Sequence, residues 1–394
     1  MLILSQHSLR REKPLKGGRE PLSQSPDLDP RELMKKDLPN WIQPFLTELT
    51  AKPFVGEQQR KRTALNHIVT TFVALGIGVA TSVLALSQSG FNLGLIPIGW
   101  GLTVYGARKL RLTIMHACSH HAVFTNNRKF NCWLGEFISI LTLTLNFKAY
   151  QRGHNKDHHS NKLLTPGDET YQYLIDTVGF RLGMNVNHAW KHLWKTLVSP
   201  TFHIHQFASR LAATFLSDSL SHNLLSVVFW SSVLGFVTLK NSWLAFLVAW
   251  IIPISIFFEA SSLLRQCVEH HFPVPTTAKH SPEVLSQMTA AIFCGEPTPK
   301  LDSSAEWVEI FLAWTLWWLQ MLFYHLPSRV FILTGDSPCH DFHHRNPGSH
   351  KWLDCIFERQ KEVEAGVKYY HHWGLLEAIN ESFKFMSLQP PHSS

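Results

Sequence analysis

The sequence predicts an all-α integral membrane protein: about four transmembrane helices in two hairpins, with interfacial helices and a histidine-rich cap on the cytoplasmic side. Composition is the first observation, because hydrophobic residues make up 45% and charged residues only 16% of the 394-residue chain. An average soluble protein has about 25% charged residues. The second is a set of long apolar runs separated by polar segments. The third is a total of 24 histidines, with clusters in the polar segments.

The apolar runs pair into two hairpins. A run of about 20 residues spans a bilayer as a helix, and the first run contains no charged residue. The four predicted spans are residues 66–88, 91–107, 222–239 and 242–258. Each hairpin leaves and returns to the same side of the membrane, so that every histidine cluster falls on that side.

The remaining segments are predicted to lie at the membrane surface or in solution. We expect a flexible polar N-terminal tail over 1–40, a membrane domain over 41–375 and a C-terminal tail over 376–394. Residues 148–221 are mostly polar and include a basic amphipathic stretch, which suits a membrane surface. Residues 310–327 are apolar and rich in Trp, and either span the membrane or lie in its plane. The common side of the clusters favours a non-spanning or hairpin arrangement for this segment.

The charge distribution indicates the partner class. The net charge is +7, and basic residues flank the apolar runs at 60–62 and 108–111. This placement marks the cytoplasmic side of a membrane protein, and it is unlike the basic stripe of a nucleic-acid-binding protein. The six cysteines form no C-x-x-C pair, so we interpret them as reduced thiols.

Four histidine clusters carry the prediction of function: HACSHH at 116–121, HNKDHH at 154–159, EHH at 269–271 and HDFHH at 340–344. Helix residues three or four apart share a face. The sets predicted to bind one metal are His116 with His120, His154 with His158, and His340 with His343 and His344. An additional adjacent histidine points about 100° away and can reach a second metal. Imidazole suits iron, zinc and copper.

These motifs resemble the histidine boxes of the membrane fatty-acid desaturase superfamily, over residues 66–375. The resemblance implies that the metal ligands are His116, His120, His121, His154, His158, His159, His270, His340, His343 and His344. A third box can also be placed at Gln266–His271, but the Pro–Trp pattern after 344 favours HDFHH. The resemblance implies no catalytic residue beyond the ligands. Carboxylates expected to orient the imidazoles are Asp157, Asp168, Glu269 and Asp341.

The same resemblance implies two iron ions, O2 as co-substrate and a lipid or acyl substrate held in an apolar tunnel. The chain has no H-P-G-G haem motif, so that electrons must come from a separate ferredoxin or cytochrome b5 type donor. The function that the sequence favours is that of a fatty-acyl desaturase.

Alternatives remain. Alkane and acyl hydroxylases of the same superfamily have similar boxes, and the stretch after box two, LTPGDE, resembles theirs as much as a desaturase's, whereas box one, HACSHH, favours desaturases. From another class, a membrane metal transporter would place ligands in mid-membrane; here spans 66–88 and 242–258 contain no acidic or basic residue apart from His67 at one end. A zinc scaffold would need fewer histidines.

Overall fold

The computed structural model describes residues 29–59, 62–87, 90–160, 162–273 and 288–391. Most of the described residues are helical, as the sequence predicts. The predicted N-terminal tail up to residue 28, and Gln88 at the end of the first predicted span, lie outside the described residues. The six cysteines are free, which agrees with the interpretation as reduced thiols.

The described chain begins with a packed helical element. It comprises α1 (Pro30–Asp37), a 3₁₀ turn (Asn40–Ile42) and α2 (Gln43–Thr50). Asp29 caps α1 by accepting a hydrogen bond from the Arg31 amide at 2.9 Å, which satisfies a free N–H of the first turn. The fully buried Arg31 side chain donates to Gln43 Oε1 at 2.6 Å and Thr47 Oγ1 at 2.8 Å. The tail boundary predicted at 40 therefore does not coincide with the start of the packed helices.

An antiparallel hairpin follows, formed by α3 (Ala64–Ser87), a 3₁₀ segment (Gly90–Leu95) and α4 (Ile96–Lys109). Glycines allow the two backbones to touch. A Cβ on Gly78 would lie 2.5 Å from the Thr103 nitrogen, and one on Gly106 would lie 2.9 Å from Leu75 Cα. Small residues at a helix interface permit this close approach in membrane proteins.

The central part of the chain is a series of shorter helices. A π-helix (Leu110–Met115) continues α4, and the α-helices after it are α5 (His116–Ser119), α6 (Arg128–Leu141), α7 (Phe147–Gly153), α8 (Glu169–Tyr171), α9 (Val186–Leu197) and α10 (Pro200–Phe215). Two further π-helices, His154–His158 and Gln172–Thr177, follow α7 and α8. Only the part of this region from residue 148 onward falls within the segment 148–221 that is predicted to be polar.

The second hairpin and the C-terminal part complete the fold. Its helices are α11 (Leu220–Leu239), α12 (Trp243–Phe246), α13 (Phe258–Glu269), α14 (Trp307–Gln320), α15 (His340–Arg345), α16 (Cys355–Glu364) and α17 (Leu375–Ser387). Two π-helices (Leu247–Ile251 and Pro253–Phe257) join α12 to α13, and two (Met321–His325 and Ser328–Ile332) follow α14. Short 3₁₀ turns at Ser337–Cys339 and Trp352–Asp354 precede α15 and α16.

Within the described residues, three helices are long and apolar enough to cross a membrane: Ala64–Ser87, Leu220–Leu239 and Trp243–Glu269. They match three of the four predicted spans. The fourth, residues 91–107, is divided between a 3₁₀ segment and the 14-residue α4. The Trp-rich segment 310–327 is helical and outward-facing, with Phe311 63% and Phe323 76% exposed.

Two short strands and the last helix close the structure. Strand β1 (Ala291–Phe293) pairs in parallel with β2 (His371–Trp373), with Ala291 opposite His371. Helix α17 buries Ala378, Ile379 and Phe383 against the larger apolar core cluster. The region predicted as a C-terminal tail from 376 thus contains a packed helix.

Candidate metal centre

Histidines from four separate segments converge at one place. Their ring nitrogens form two clusters, and within each cluster the candidate ligand atoms lie within 4.8 Å of one another. The five-histidine cluster contains His116, His120, His154, His159 and His343. The four-histidine cluster contains His158, His270, His340 and His344. The structure therefore brings together nine of the ten histidines predicted as ligands.

Helix geometry decides which histidine joins which cluster. His116 and His120 are four apart at α5 and share the five-histidine cluster, as predicted. His154–His158 is instead a π-helix, with a backbone hydrogen bond of 3.1 Å from the His159 amide to the His154 carbonyl. A π-helix makes i→i+5 bonds, so His154 shares its face with His159.

This geometry corrects the predicted pairing of box two, because His154 and His158 fall in different clusters. It also corrects the grouping of His340 with His343. In the α-helical α15, His340 and His344 are four apart and lie in the four-histidine cluster, whereas His343 points to the other.

In the five-histidine cluster the Nε2 atoms of the rings lie close to one another. His116 Nε2 lies 2.9 Å from His154 Nε2 and 3.0 Å from His343 Nε2. His154 Nε2 is also 3.1 Å from His120 Nε2 and 3.0 Å from His159 Nε2. These five nitrogens point at a common centre.

The four-histidine cluster has a carboxylate beside it. His344 Nε2 lies 3.0 Å from His270 Nε2 and 2.9 Å from His340 Nε2. Glu269 Oε1 lies 3.3 Å from His340 Nε2. The two clusters are adjacent, because the rings of His159 and His344, one from each, have centroids 4.5 Å apart.

Burial keeps the imidazoles neutral. Burial first, and then repulsion by neighbouring histidines, lower the pKa of His120 to about 3 and that of His159 to about 2. The pKa values of His154, His270, His340, His343 and His344 are lowered by the same two causes. Neutral imidazole carries the lone pair that a metal ligand requires.

The arrangement fits metal ions. With metal–nitrogen bonds of about 2.1 Å, neighbouring ligands lie about 3.0 Å apart at right angles and about 3.4 Å apart at the tetrahedral angle. The Nε2 separations of 2.9 to 3.1 Å in the five-histidine cluster match the first value. Five donors exceed the four of a tetrahedral structural zinc site, which favours a metal of higher coordination number.

Carboxylates orient some of these rings. Asp168, fully buried, lies with Oδ1 3.0 Å from His158 Nδ1, and its Oδ2 accepts from the Leu164 amide at 3.0 Å. The sequence anticipated Asp168. It missed Asp336, whose Oδ2 is 3.7 Å from His116 Nδ1, because Asp336 has no distinguishing spacing in the sequence.

Two of the predicted orienting carboxylates have other partners. Asp157 pairs with Lys162 at 2.5 Å on the surface. Asp341 forms a buried ion pair with Arg359, at 2.8 Å from Oδ2 to Nε. In the part of the chain that the structure describes, neither carboxylate therefore contacts a histidine ring of the two clusters. Asp341 instead fixes α15 to α16.

His121 is the predicted ligand that the structure leaves outside both clusters. Helix α5 ends just before it, and His121 adopts a left-handed backbone with φ 56°. Its Nε2 consequently lies 3.3 Å from Gln151 Nε2. The next residue after His270, His271, is buried against His372, with ring centroids 5.3 Å apart.

A cavity of about 320 Å³ opens beside the clusters and is bordered by His116, His154, His158 and His340. Its lining differs from the apolar tunnel expected from the sequence. Four arginines border it: Arg108, Arg111, Arg210 and Arg265.

Comparison with known families adds one finding. The family model described as Fatty acid desaturase matches residues 94–327, which is more than half of the chain. The matched region includes the first three histidine clusters of the sequence and ends before the fourth. Among curated proteins, none matches this chain.

Proposed function

Because the chain belongs to the fatty acid desaturase family, we propose that it is a membrane-bound fatty-acyl desaturase. In this proposal two histidine-ligated iron ions and O2 introduce a double bond into a lipid acyl chain. The observation that carries the proposal is the pair of adjacent histidine clusters, five and four imidazoles around two centres. A centre of this type explains why so many neutral imidazoles are buried together.

The proposed ligands are the nine clustered histidines, with Glu269 as a tenth donor. Iron bound there would supply the O2-dependent oxidation of a C–H bond. The protein's own residues hold and orient the ligands. Asp168 accepts the Nδ1 proton of His158 and so directs the Nε2 lone pair of that ring to the four-histidine cluster, as outer carboxylates do for metal-bound histidines.

Arg265 lies on the other side of Glu269. The two side chains form an ion pair four residues apart on α13. This contact fixes the carboxylate beside His340 while leaving it available as a donor. The cavity next to the clusters then receives the substrate.

Hydroxylation of an acyl chain or alkane is the second candidate. The LTPGDE stretch, which resembles that of alkane monooxygenases as much as a desaturase's, supplies Asp168, the partner of His158. Both reactions begin by removing a hydrogen atom. They differ in substrate position.

A metal transporter is disfavoured by the origin of the ligands. Transporters bind ions near the bilayer midplane in interrupted helices. Here the clustered histidines come from α5, the π-helix after α7, the residue after α13, and α15. These lie outside the three helices that qualify as candidate spans.

The membrane arrangement completes the proposal. We place α3, α4, α11 and the helix Trp243–Glu269 in the bilayer as two hairpins, with both clusters on the cytoplasmic side. A separate ferredoxin or cytochrome b5 type protein would deliver electrons there. Support comes from the basic residues at 108–111, which follow the positive-inside rule.

The test is a product profile with metal analysis. The wild-type chain and the His158→Ala variant are expressed with reductase partners, and fatty acids and hydrocarbons are compared by mass spectrometry. New double bonds with the wild type alone are expected; new hydroxyl groups would instead establish the second candidate. His188→Ala, at an exposed histidine outside the clusters, is the matched control. Normal turnover by His158→Ala, or purified protein without iron, would refute the proposal.

A further inference from the structure

The cavity beside the histidine clusters is lined by four arginines and four carboxylates, the latter being Glu169, Glu259, Glu269 and Asp336. Its four arginines divide into two pairs. Arg210 contacts Glu259, with Nη1 2.5 Å from Oε1, and Arg265 contacts Glu269. These two cations are therefore neutralised within the protein.

Arg108 and Arg111 form the second pair. They lie three residues apart across the junction of α4 and the following π-helix, and both border the cavity. Among the described residues, no carboxylate oxygen lies within 4.0 Å of either guanidinium. Two positive charges thus border the cavity without a paired anion.

The environment of Arg108 is built to hold its charge in place. The side chain is 1% exposed. It donates from Nη1 to Ser262 Oγ at 2.6 Å and from Nη2 to the carbonyls of Ser261 and Ile332 at 3.4 and 3.3 Å. All three acceptors are neutral. Its Nε atom is buried without a hydrogen-bond partner in the described part of the chain.

Arg111 is fixed differently. Its guanidinium carbon lies 4.0 Å from the centroid of the Tyr150 ring, so the planar group stacks on the aromatic face. Tyr150 also borders the cavity. The stacked guanidinium keeps its N–H groups available along its edge for a second planar partner.

The remaining acids of the lining do not compensate these cations by contact. Glu169 and Asp336 border the cavity. Burial raises the pKa of Glu169, and the positive charge of Arg111 opposes this shift, so Glu169 acts on Arg111 through space rather than by contact. The Asp336 carboxylate faces the ring of His116 instead, with Oδ2 3.7 Å from Nδ1. A buried charge without a counter-charge is costly, so an anion entering the cavity is strongly favoured.

From these contacts we propose that Arg108 and Arg111 bind the anionic head group of the substrate inside the cavity. The head group is a carboxylate or phosphate, the two anions whose geometry matches the guanidinium fork. The substrate class is then an amphiphilic acid with a free anionic end, and its oxidised carbon lies close to that end. This inference rests on the proposed function, since it names the substrate of the same site.

The cavity size supports a compact acid. A volume of about 320 Å³ is at the small end of the usual range for ligand sites, about 300–1,000 Å³. The same cavity borders four of the clustered histidines and both arginines. An acyl ester or thioester has no free carboxylate, so in that case the anion at the arginines would have to be a phosphate of the carrier.

The test is equilibrium binding to the full-length, iron-loaded protein in lipid nanodiscs. Octanoate, octyl phosphate and the uncharged isostere octanamide are compared by dialysis, with empty nanodiscs subtracted. We expect an anion to bind about 10- to 100-fold more tightly than octanamide, the effect of hydrogen bonds to a charged group. The stronger of the two anions identifies the head group. Equal affinities for all three ligands would overturn the inference.

Variants locate the effect. Arg111→Gln should remove most of the preference for the anion while the iron content stays unchanged. Arg108→Lys, which keeps the charge, should retain part of it, and Arg108→Gln should lose it. Arg181→Gln, at an exposed arginine outside the cavity, should bind as the wild type. The inference would also be overturned if both Arg111→Gln and Arg108→Gln kept the wild-type preference for the anion over octanamide.

Failure of the proposed function has a different signature. Protein that binds two irons and oxidises hydrocarbon chains, but shows no preference for an anion, refutes the arginine assignment alone. Protein that binds no iron refutes the proposed function, whatever the result of the dialysis.

Discussion

The two histidine clusters differ in their donors. The five-histidine cluster has no carboxylate within 3.5 Å of its ring nitrogens among the described residues, whereas Glu269 Oε1 lies 3.3 Å from His340 Nε2 at the four-histidine cluster. The second also has the closer outer carboxylate, Asp168 at 3.0 Å from His158, against Asp336 at 3.7 Å from His116. Carboxylates therefore lie closer to the four-histidine cluster, where Glu269 is paired with Arg265.

The largest expected effect comes from removing one ligand from each cluster. His344→Ala leaves three imidazoles and Glu269, and His120→Ala leaves four imidazoles. We expect both variants to lose activity and fall from about two irons per chain to about one, because an incomplete shell binds poorly. Retention of two irons by either variant contradicts the assignment of that histidine.

Variants of the carboxylates beside the four-histidine cluster test the difference between the two clusters with a smaller expected effect. Glu269→Gln and Asp168→Asn should each weaken metal binding by about 10- to 100-fold, the usual effect of changing a partner of a metal ligand. The loss should be confined to one of the two irons, which chelator titration resolves. Asp157→Asn is the control, because Asp157 pairs with Lys162 at the surface. An equal loss at both irons would remove the distinction between the clusters.

The metal-free protein should lose stability in acid. The folded pKa values of His120 and His159 are lowered to about 3 and about 2, below the unfolded value of about 6.5. Below pH 6.5 the unfolded chain takes up protons that the folded clusters exclude. Stability is therefore full above about pH 6.5 and falls as the pH decreases, by up to about 1.4 kcal/mol per histidine and pH unit.

Thermal unfolding of the metal-free protein at about pH 7.5 and about pH 5.5 measures this linkage. His120→Ala should reduce the difference in unfolding temperature between the two conditions, and His188→Ala should leave it unchanged. The absence of any decrease at the lower pH would show that the clusters are protonated in the folded state.

The smallest effect is expected at His121. His121→Ala should keep full iron content and near-normal activity, because its ring faces Gln151 rather than a cluster. Loss of an iron in this variant would show that box one contributes a third ligand.

Local sequence patterns predicted much of the centre. The spacing within HACSHH and HDFHH placed His116 with His120 and His340 near His344, because α-helical periodicity is a local property. The apolar runs likewise predicted the helices Ala64–Ser87, Leu220–Leu239 and Trp243–Glu269. The partners Asp336 and Arg359 could not be predicted, since each comes from a segment with no pattern of its own.

Box two shows where local reasoning failed. Its spacing is compatible with an α-helix, but residues 154–158 form a π-helix, and this exchanges His158 for His159 in the five-histidine cluster. Nothing in HNKDHH distinguishes the two helix types. The choice depends on contacts outside the segment, such as the Asp168 carboxylate at His158.

The sequence by itself determined the class of the protein: helical, membrane-associated and rich in metal-binding histidines. These properties follow from composition and spacing, which short segments express independently of their surroundings. The tertiary structure alone decided how nine histidines divide between two centres and which cations border the cavity. The physical reason is that both depend on the directions of side chains from segments distant in the chain, and those directions are set only when the helices pack.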